Sequence, residues 1–262
     1  MTLSVTNLHH FGMTARVGRP CDTSGVASVE LAPWSVMTWN VHGSKRPSID
    51  ALAAAITVEA PDILVVQEIR RTQAAKLAGA ISMRYTWALK HRPYTVFVWW
   101  RSEGMAIYTR HVLDAPGHTE ISSGQSKWNW RRRIAMWALV GRADRSAVRI
   151  YNLHLSPHDN APARRAEAVR VSEIVAEHGT EPPAIVAGDF NDAEDATIIF
   201  ALPGIEHLVP ANTNPSDAPT QVLDHVLLPP DARQVSVTVP AGGPSWAALS
   251  DHVPVTVRFT LP

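Results

Sequence analysis

From Trp34 onward, short apolar runs of strand length alternate along the chain with longer, alanine-rich segments. VMTWNV at 36–41, DILVVQ at 62–67, TVFVWW at 95–100 and GMAIYT at 104–109 read as strands. So do 133–141, 147–155, 184–187, 222–228, 234–239 and 253–260. Helices are expected over Ser48 to Val58, Thr72 to Ala80 and Ala161 to His178. The last is announced by Asn160 as a cap residue and by Pro162 just inside the helix start. A short helix near 193–202 and loops at 111–132 and 210–219 complete the pattern. Residues 1–33 are polar, show no periodicity and end at Pro33, so they read as an N-terminal extension ahead of a domain spanning 34–262. Many strands with interspersed helices, hairpin-like pairs and no dinucleotide fingerprint argue for two packed sheets flanked by helices rather than a Rossmann sheet.

Composition narrows the function classes. With 262 residues, 45% of them hydrophobic, the chain can bury a sizeable core in one domain. Its 24 basic and 24 acidic residues cancel, so it lacks the overall basic footprint of a tight nucleic-acid binder. An enzyme that touches a phosphate backbone locally and releases it remains compatible. The lone cysteine, Cys21, excludes an intrachain disulfide and a thiolate metal cluster. No signal-peptide-like or membrane-spanning stretch stands out, so a cytoplasmic monomer is the default expectation.

Six segments place a polar group at the margin of an apolar strand. Asn40 ends the first strand and Glu68 ends PDILVVQE. His154 lies in YNLHLSPHD, Asp189 and Asn191 in AIVAGDFND, Asp224 in QVLDHVLLP, and Asp251 with His252 in LSDHVPVTVRF. Asp and Asn are ordinary turn residues, and any one segment alone reads as a turn after a strand. Burying so many such groups without partners would cost about 2–7 kcal/mol for each neutral one. A shared cation and a polar substrate remove that objection. Carboxylate and amide oxygens without thiolates favour Mg²⁺, with Mn²⁺ as the alternative, over structural zinc. The two histidines then suit proton transfer or phosphate contact, which is the inventory that phosphoryl transfer requires.

TWNVHG at 38–43, PDILVVQE at 61–68, GDFND at 188–192 and SDHVPV at 250–255, in this order, resemble the endonuclease/exonuclease/phosphatase superfamily. The resemblance spans about residues 36–259 and implies an α/β fold, a four-layer sandwich of two packed mixed β-sheets flanked by helices, with a Mg²⁺-dependent site at the strand ends. It implies that Asn40, Glu68 and Asp251 lie at the metal and that His154 faces the scissile phosphate. Asp189 would position the nucleophilic water, Asn191 would orient the phosphate, and Asp224 and His252 would complete the catalytic set. In RSEGMAIYTR at 101–110, Glu103 matches a glutamate that deoxyribonuclease-like members keep beside the leaving-group histidine. Such a partner would raise an imidazole pKa, as a general acid requires.

Four residues are candidates for holding substrate: Arg70 directly after the QE pair, and Trp130, Arg131 and Arg132 in WNWRRR at 128–133. Stacking faces and guanidinium groups together are how proteins hold nucleotides. The competing reading of WNWRRR is a solvated charge run over packed tryptophans. His42, His158 and His225 beside the motifs read as packing neighbours, and Arg164-Arg165-Glu167 as a solvated helix face. The expected activity is Mg²⁺-dependent hydrolysis of a phosphodiester, with DNA or RNA as the leading substrate. A lipid or small-molecule phosphodiesterase or phosphatase is the alternative, although no long apolar hairpin suited to membrane docking is present. A catalytically silent binding scaffold is the third reading; the presence of Glu68, Asp189 and His252 weighs against it.

Overall fold

The structure, a computed structural model, describes residues 32–91, 101–122, 132–157, 159–192, 206–207 and 212–262. Strands β1 (Trp34–Asn40), β2 (Ile63–Arg70), β3 (Arg84–His91) and β4 (Glu103–Thr109) enclose helices α1 (Ile49–Glu59) and α2 (Arg71–Ala80) in sequence. Then come β5 (Val112–Glu120), β6 (Ile134–Gly141), β7 (Ala147–His154), α3 (Ala161–Glu177) and β8 (Ala184–Asp189). The chain continues through β9 (Glu206–His207), β10 (Asp224–Leu228), β11 (Arg233–Thr238), α4 (Pro244–Ala247) and β12 (Val255–Thr260).

Two six-stranded sheets result, in the orders β11-β12-β1-β2-β4-β3 and β5-β6-β7-β8-β10-β9. In each, one central pair is parallel, β1 with β2 and β7 with β8, and the other pairs are antiparallel. Each parallel pair needs a crossover, and α1 and α3 supply them. The C-terminal ends of all four parallel strands therefore meet at one edge of the sandwich, where ligands of open α/β sheets bind.

Period-two alternation divides each strand between two environments. Val36, Ile63, Val65, Met105, Ile107, Ile150, Ile185, Ala187, Val226, Val255 and Val257 face inward and form the apolar layer between the sheets. Their neighbours face the helices. Met37, Trp39, Leu64, Val66 and Tyr108 pack on Leu52 and Ile56 of α1 and Leu77 of α2. Tyr151, Leu153, Val186 and Leu227 pack on Val171 and Ile174 of α3. This is the expected four-layer sandwich. The helices start where their caps predict: Ala51 N–H donates to Ser48 Oγ at 3.3 Å and Ala163 N–H to Asn160 Oδ1 at 3.3 Å.

Two sequence expectations are corrected. Residues 112–120, taken as part of a loop, form the edge strand β5. Pro116 and Gly117 hide its strand character, and they sit at a register break between Asp114 and Gly117. An edge strand tolerates both because it pairs on one side only. Arg164 and Glu167 are buried rather than solvated. Glu167 accepts from Ser156 N–H at 2.8 Å and Ser156 Oγ–H at 2.7 Å, and Arg164 donates to the Pro157 carbonyl at 2.6 Å. The first turns of α3 thus clamp the loop after His154. The strand at 95–100, the helix near 193–202, His158, and residues 1–31 of the N-terminal extension lie outside the described residues.

Gly188 is required where β8 reaches the edge. Its φ of 151° lies outside the range L side chains favour, and a Cβ there would run into the Leu153 carbonyl of β7. Gly188→Ala should destabilise by at least about 1–3 kcal/mol, the range for overpacked cores. Chemical denaturation checks this, and an unchanged midpoint would contradict it.

Candidate active site

The inward faces of the strands turn polar as they approach the edge. Along β1 the inner positions run Val36, Thr38, Asn40; along β7, Ile150, Asn152, His154; along β8, Ile185, Ala187, Asp189. β10 enters from the same end with Asp224, and β3 leaves the core layer at Ala88 to present Lys90. The polar termini open into a cleft of ≈360 Å³ whose walls include Asn40, Glu68, Lys90, Asp189, Asp251 and His252. Glu103, Asn191, His154, Arg132 and Arg133 line it as well.

Strict alternation would send Glu68 to the helix side. A bulge in β2 prevents this: its register against β4 shifts between Val66 and Ile69, and Glu68 takes a left-handed φ of 55°. Two residues then oppose one, which re-aims the extra side chain. A non-glycine residue held in this region is strained by about 1–3 kcal/mol, a cost that clusters at functional sites. Gly43 seats the bulge, since any Cβ there would press on the Glu68 carbonyl.

At the centre, Asp189 is wholly buried. Asn40 Nδ2–H donates to its Oδ2 at 2.9 Å and Asn191 N–H to its Oδ1 at 3.0 Å. Two imidazoles face it: His154 Nε2 at 3.6 Å and His252 Nε2 at 4.0 Å, both from Oδ2. Burial pushes the Asp189 carboxyl up to about 6, against the opposing pull of His252. His252 is itself buried, which would lower its pKa, but the charges of Asp224 and Asp189 override burial and push it up to about 10. Its Nδ1 lies 2.7 Å from Asp224 Oδ2, so the carboxylate fixes the ring with Nε2 toward the cleft. Ser250 Oγ accepts from His252 N–H at 3.2 Å and donates to the Asn40 carbonyl at 2.6 Å, joining the two loops.

Lys90 was not anticipated from sequence. It is almost completely buried, with Nζ 3.0 Å from His154 Nδ1 and 3.8 Å from Glu68 Oε1. Burial pushes its ammonium down to about 8, which leaves it charged at neutral pH. An ammonium donates and cannot accept, so His154 Nδ1 is the acceptor and the ring proton sits on Nε2. Nothing local marks the residue, because a lysine ending a strand ordinarily reads as solvated. Glu103 lines the same cleft. Burial and the nearby Glu68 raise its carboxyl, while Lys90 and Arg70 lower it.

Asp251 lines the same cleft. Burial would raise its carboxyl, but the hydrogen bond from His42 holds it down at about 2. That bond is 2.7 Å long, with Lys45 Nζ 4.0 Å from the same oxygen. His42, read from sequence as a packing neighbour, is thus part of the cleft wall. His225 is buried and packs on Phe190 with centroids 5.0 Å apart, as a neighbour would. Trp130 and Arg131 lie outside the described residues. Arg132 is exposed at the rim, 3.8 Å from Glu120, and Arg70 is buried with Nη2 3.5 Å from the Ser44 carbonyl.

The donor set fits a hard cation. Asn40 Oδ1 and the carboxylates of Glu68 and Asp251 offer oxygen ligands on the cleft wall, and Mg²⁺ needs only one or two carboxylates with water completing its shell. Asp189, Asp224 and His252 also bring ligand atoms within 4.8 Å of one another. That trio already spends Asp224 Oδ2 on His252 and both Asp189 oxygens on amides, so its geometry is that of a carboxylate–histidine pair.

A sequence model of the endonuclease/exonuclease/phosphatase family matches residues 37–252. The chain belongs to this family. Its members hydrolyse phosphoester bonds, generally with a divalent metal. The uncharacterized protein YbhP of Escherichia coli is 21% identical over 253 residues, covering 87% of this chain and 96% of YbhP. The mannosyl-6-phosphatase of Bacteroides thetaiotaomicron has the same fold, with TM-score 0.70 and 19% identity over 87% of this chain and all of that one. The human Nocturnin catalytic domain, crystallised with a sulfate anion, superposes with TM-score 0.68 and 18% identity, covering 89% of this chain and 95% of its own. Likeness of fold does not fix the substrate, which must be argued from the cleft.

Proposed function

We propose that this family member is a Mg²⁺-dependent phosphodiesterase whose substrate is a nucleic-acid strand, with Mn²⁺ able to replace Mg²⁺. The observation that carries the substrate class is the distribution of cations around an acidic centre. In the first sheet and its loops Arg46 and Arg101 come near enough to Arg70 to lower its guanidinium, after burial itself and against the pull of Glu103. Arg132 and Arg133 lead into β6 of the second sheet and line the cleft. Positive groups on both sheets, near a cleft that holds Glu68 and Asp189, suit an anion that extends past the scissile phosphate.

In this reading Asn40, Glu68 and Asp251 hold the cation, which would neutralise charge developing on the phosphate. Asp189 orients a water and takes its proton as the water oxygen bonds to phosphorus and the bond to the leaving oxygen breaks. His252, backed by Asp224, carries a proton at neutral pH, and we assign it to the phosphate and the leaving oxygen. His154 donates from Nε2 to a phosphate oxygen and Asn191 orients the phosphate. The general-acid role expected for a Glu103–His154 pair passes to His252 because an ammonium faces His154 Nδ1.

Purified protein should cleave an oligonucleotide with Mg²⁺ or Mn²⁺, lose that activity on chelation and recover it on readdition. Glu68→Gln should raise the Mg²⁺ concentration needed for half-maximal rate while leaving the thermal midpoint close to wild type. Full activity after thorough demetallation would overturn the cation assignment. Faster turnover of a sugar phosphate or phospholipid than of any oligonucleotide would overturn the substrate class.

A further inference from the structure

Between the apolar inter-sheet core and the cleft lies one layer of buried polar side chains: Thr38 on β1, Gln67 on β2 and Asn152 on β7. Asn152 is wholly buried and reaches across to the other sheet. Its Nδ2 donates to the Val66 carbonyl at 3.0 Å and to the Ala106 carbonyl at 2.9 Å. Its Oδ1 accepts from Gln67 Nε2 at 2.8 Å, and Gln67 Nε2 also donates to Thr38 Oγ1 at 3.1 Å. Val66 and Ala106 are the last register pair before the β2 bulge; pairing resumes at Ile69 with Gly104. One side chain from the second sheet therefore grips β2 and β4 of the first at the lip of the bulge that turns Glu68 into the cleft.

We infer that Asn152 is a positioning residue that sets the separation between Glu68 and His154. His154 lies two positions further along β7 on the same face, so a single rigid strand carries both the grip on the bulge and the phosphate-facing imidazole. The separation it maintains is 3.8 Å from Glu68 Oε1 to His154 Nε2. The amide pair is not the most stable way to fill this space. Gln67 Oε1 has no hydrogen-bond partner among the described residues, and an unsatisfied buried acceptor costs about 1–3 kcal/mol. An apolar pair would avoid that cost but could not hold the Val66 carbonyl of β2 and the Ala106 carbonyl of β4 at the lip of the bulge. This inference rests on the cation-dependent hydrolysis proposed above, because Glu68 matters as a cation ligand.

The test compares Asn152→Leu and the milder Gln67→Met with Ile150→Ala, which opens a cavity on the same strand away from the bulge. Mn²⁺ affinity by titration calorimetry and amide hydrogen exchange over 66–70 are read on each. Loss of a group that orients a metal ligand typically weakens binding about 10–100-fold. Asn152→Leu should do so and speed exchange over 66–70, with Gln67→Met moving both readouts less in the same direction. Ile150→Ala should lower the thermal midpoint while leaving both readouts near wild type. If Asn152→Leu does not fold, Gln67→Met carries the comparison. Affinity and exchange close to wild type in the amide variants would overturn the inference, as would equal shifts in Ile150→Ala. A wild type that binds no Mn²⁺ overturns the cation reading instead, and exchange over 66–70 still decides whether Asn152 holds the bulge.

Discussion

His252→Ala and Asp189→Asn should each lower kcat by about 10²–10⁴-fold, the usual effect of removing a proton-transfer or charge-stabilising group. Both side chains meet at the cleft floor, and neither is a packing element of the three apolar clusters. Asp189→Asn preserves shape and removes the charge proposed to take the water's proton. Either variant retaining more than half the wild-type rate, measured at saturating substrate and Mg²⁺, would show that the centre is misassigned.

The same pair shapes the pH response of the metal-free protein. His252 binds its proton more tightly when folded, at about 10 against an ordinary 6.5. Its contribution is therefore complete below about 6.5 and is lost as pH rises toward 10. His42, raised by its bond to Asp251, acts in the same direction. Lys90 acts in the opposite one: its proton is held less tightly when folded, at about 8 against 10.5. Stability with chelator present should fall between pH 6.5 and 8 and then flatten. In Asp224→Asn the fall should shrink, because the charge that raises His252 is gone. A melting temperature independent of pH across this window in wild type would contradict the assignment.

Lys90→Met should cost both stability and activity. Removing one partner of a buried charge pair leaves the other uncompensated and destabilises, here chiefly Glu68 at 3.8 Å. The thermal midpoint should therefore fall. Activity should fall by about 10²–10³-fold, comparable to losing one donor aimed at developing charge. Lys90→Arg keeps the charge without the compact fit and should restore only part of the rate. A Lys90→Met protein with wild-type turnover would show that the ammonium only neutralises Glu68.

How much of this could be read in the chain follows from the range of each signal. The alternation of apolar strands with capped helices is local chemistry, and it located the described strands β1, β2, β4, β6, β7, β8, β10, β11 and β12 and the helices α1, α2 and α3 to within a few residues. Asn40, Glu68, His154, Asp189, Asp224 and Asp251-His252 were legible for the same reason: a polar group ending an apolar run is visible without knowing where the run goes. β3, β5 and β9, all edge strands, escaped; β5 hides behind Pro116 and Gly117, which an edge strand tolerates because it pairs on one side only. Arg164, Glu167 and Lys90 escaped because long charged side chains read as solvated until a second element covers them.

What only the tertiary structure decided was how these groups share one edge. The parallel pairs bring Asn40 and Glu68 to the place where His154 and Asp189 end, across 149 residues for the Asn40–Asp189 hydrogen bond alone. The sequence placed Glu68 at a strand end. Its direction came from a bulge that no local preference announces, because a left-handed glutamate is held there by Gly43 and by the amide of Asn152 from the facing sheet. Periodicity determines which face a side chain takes while a strand stays regular. Where two sheets pack against each other, long-range hydrogen bonds outweigh that preference, and the candidate site was built at such a place.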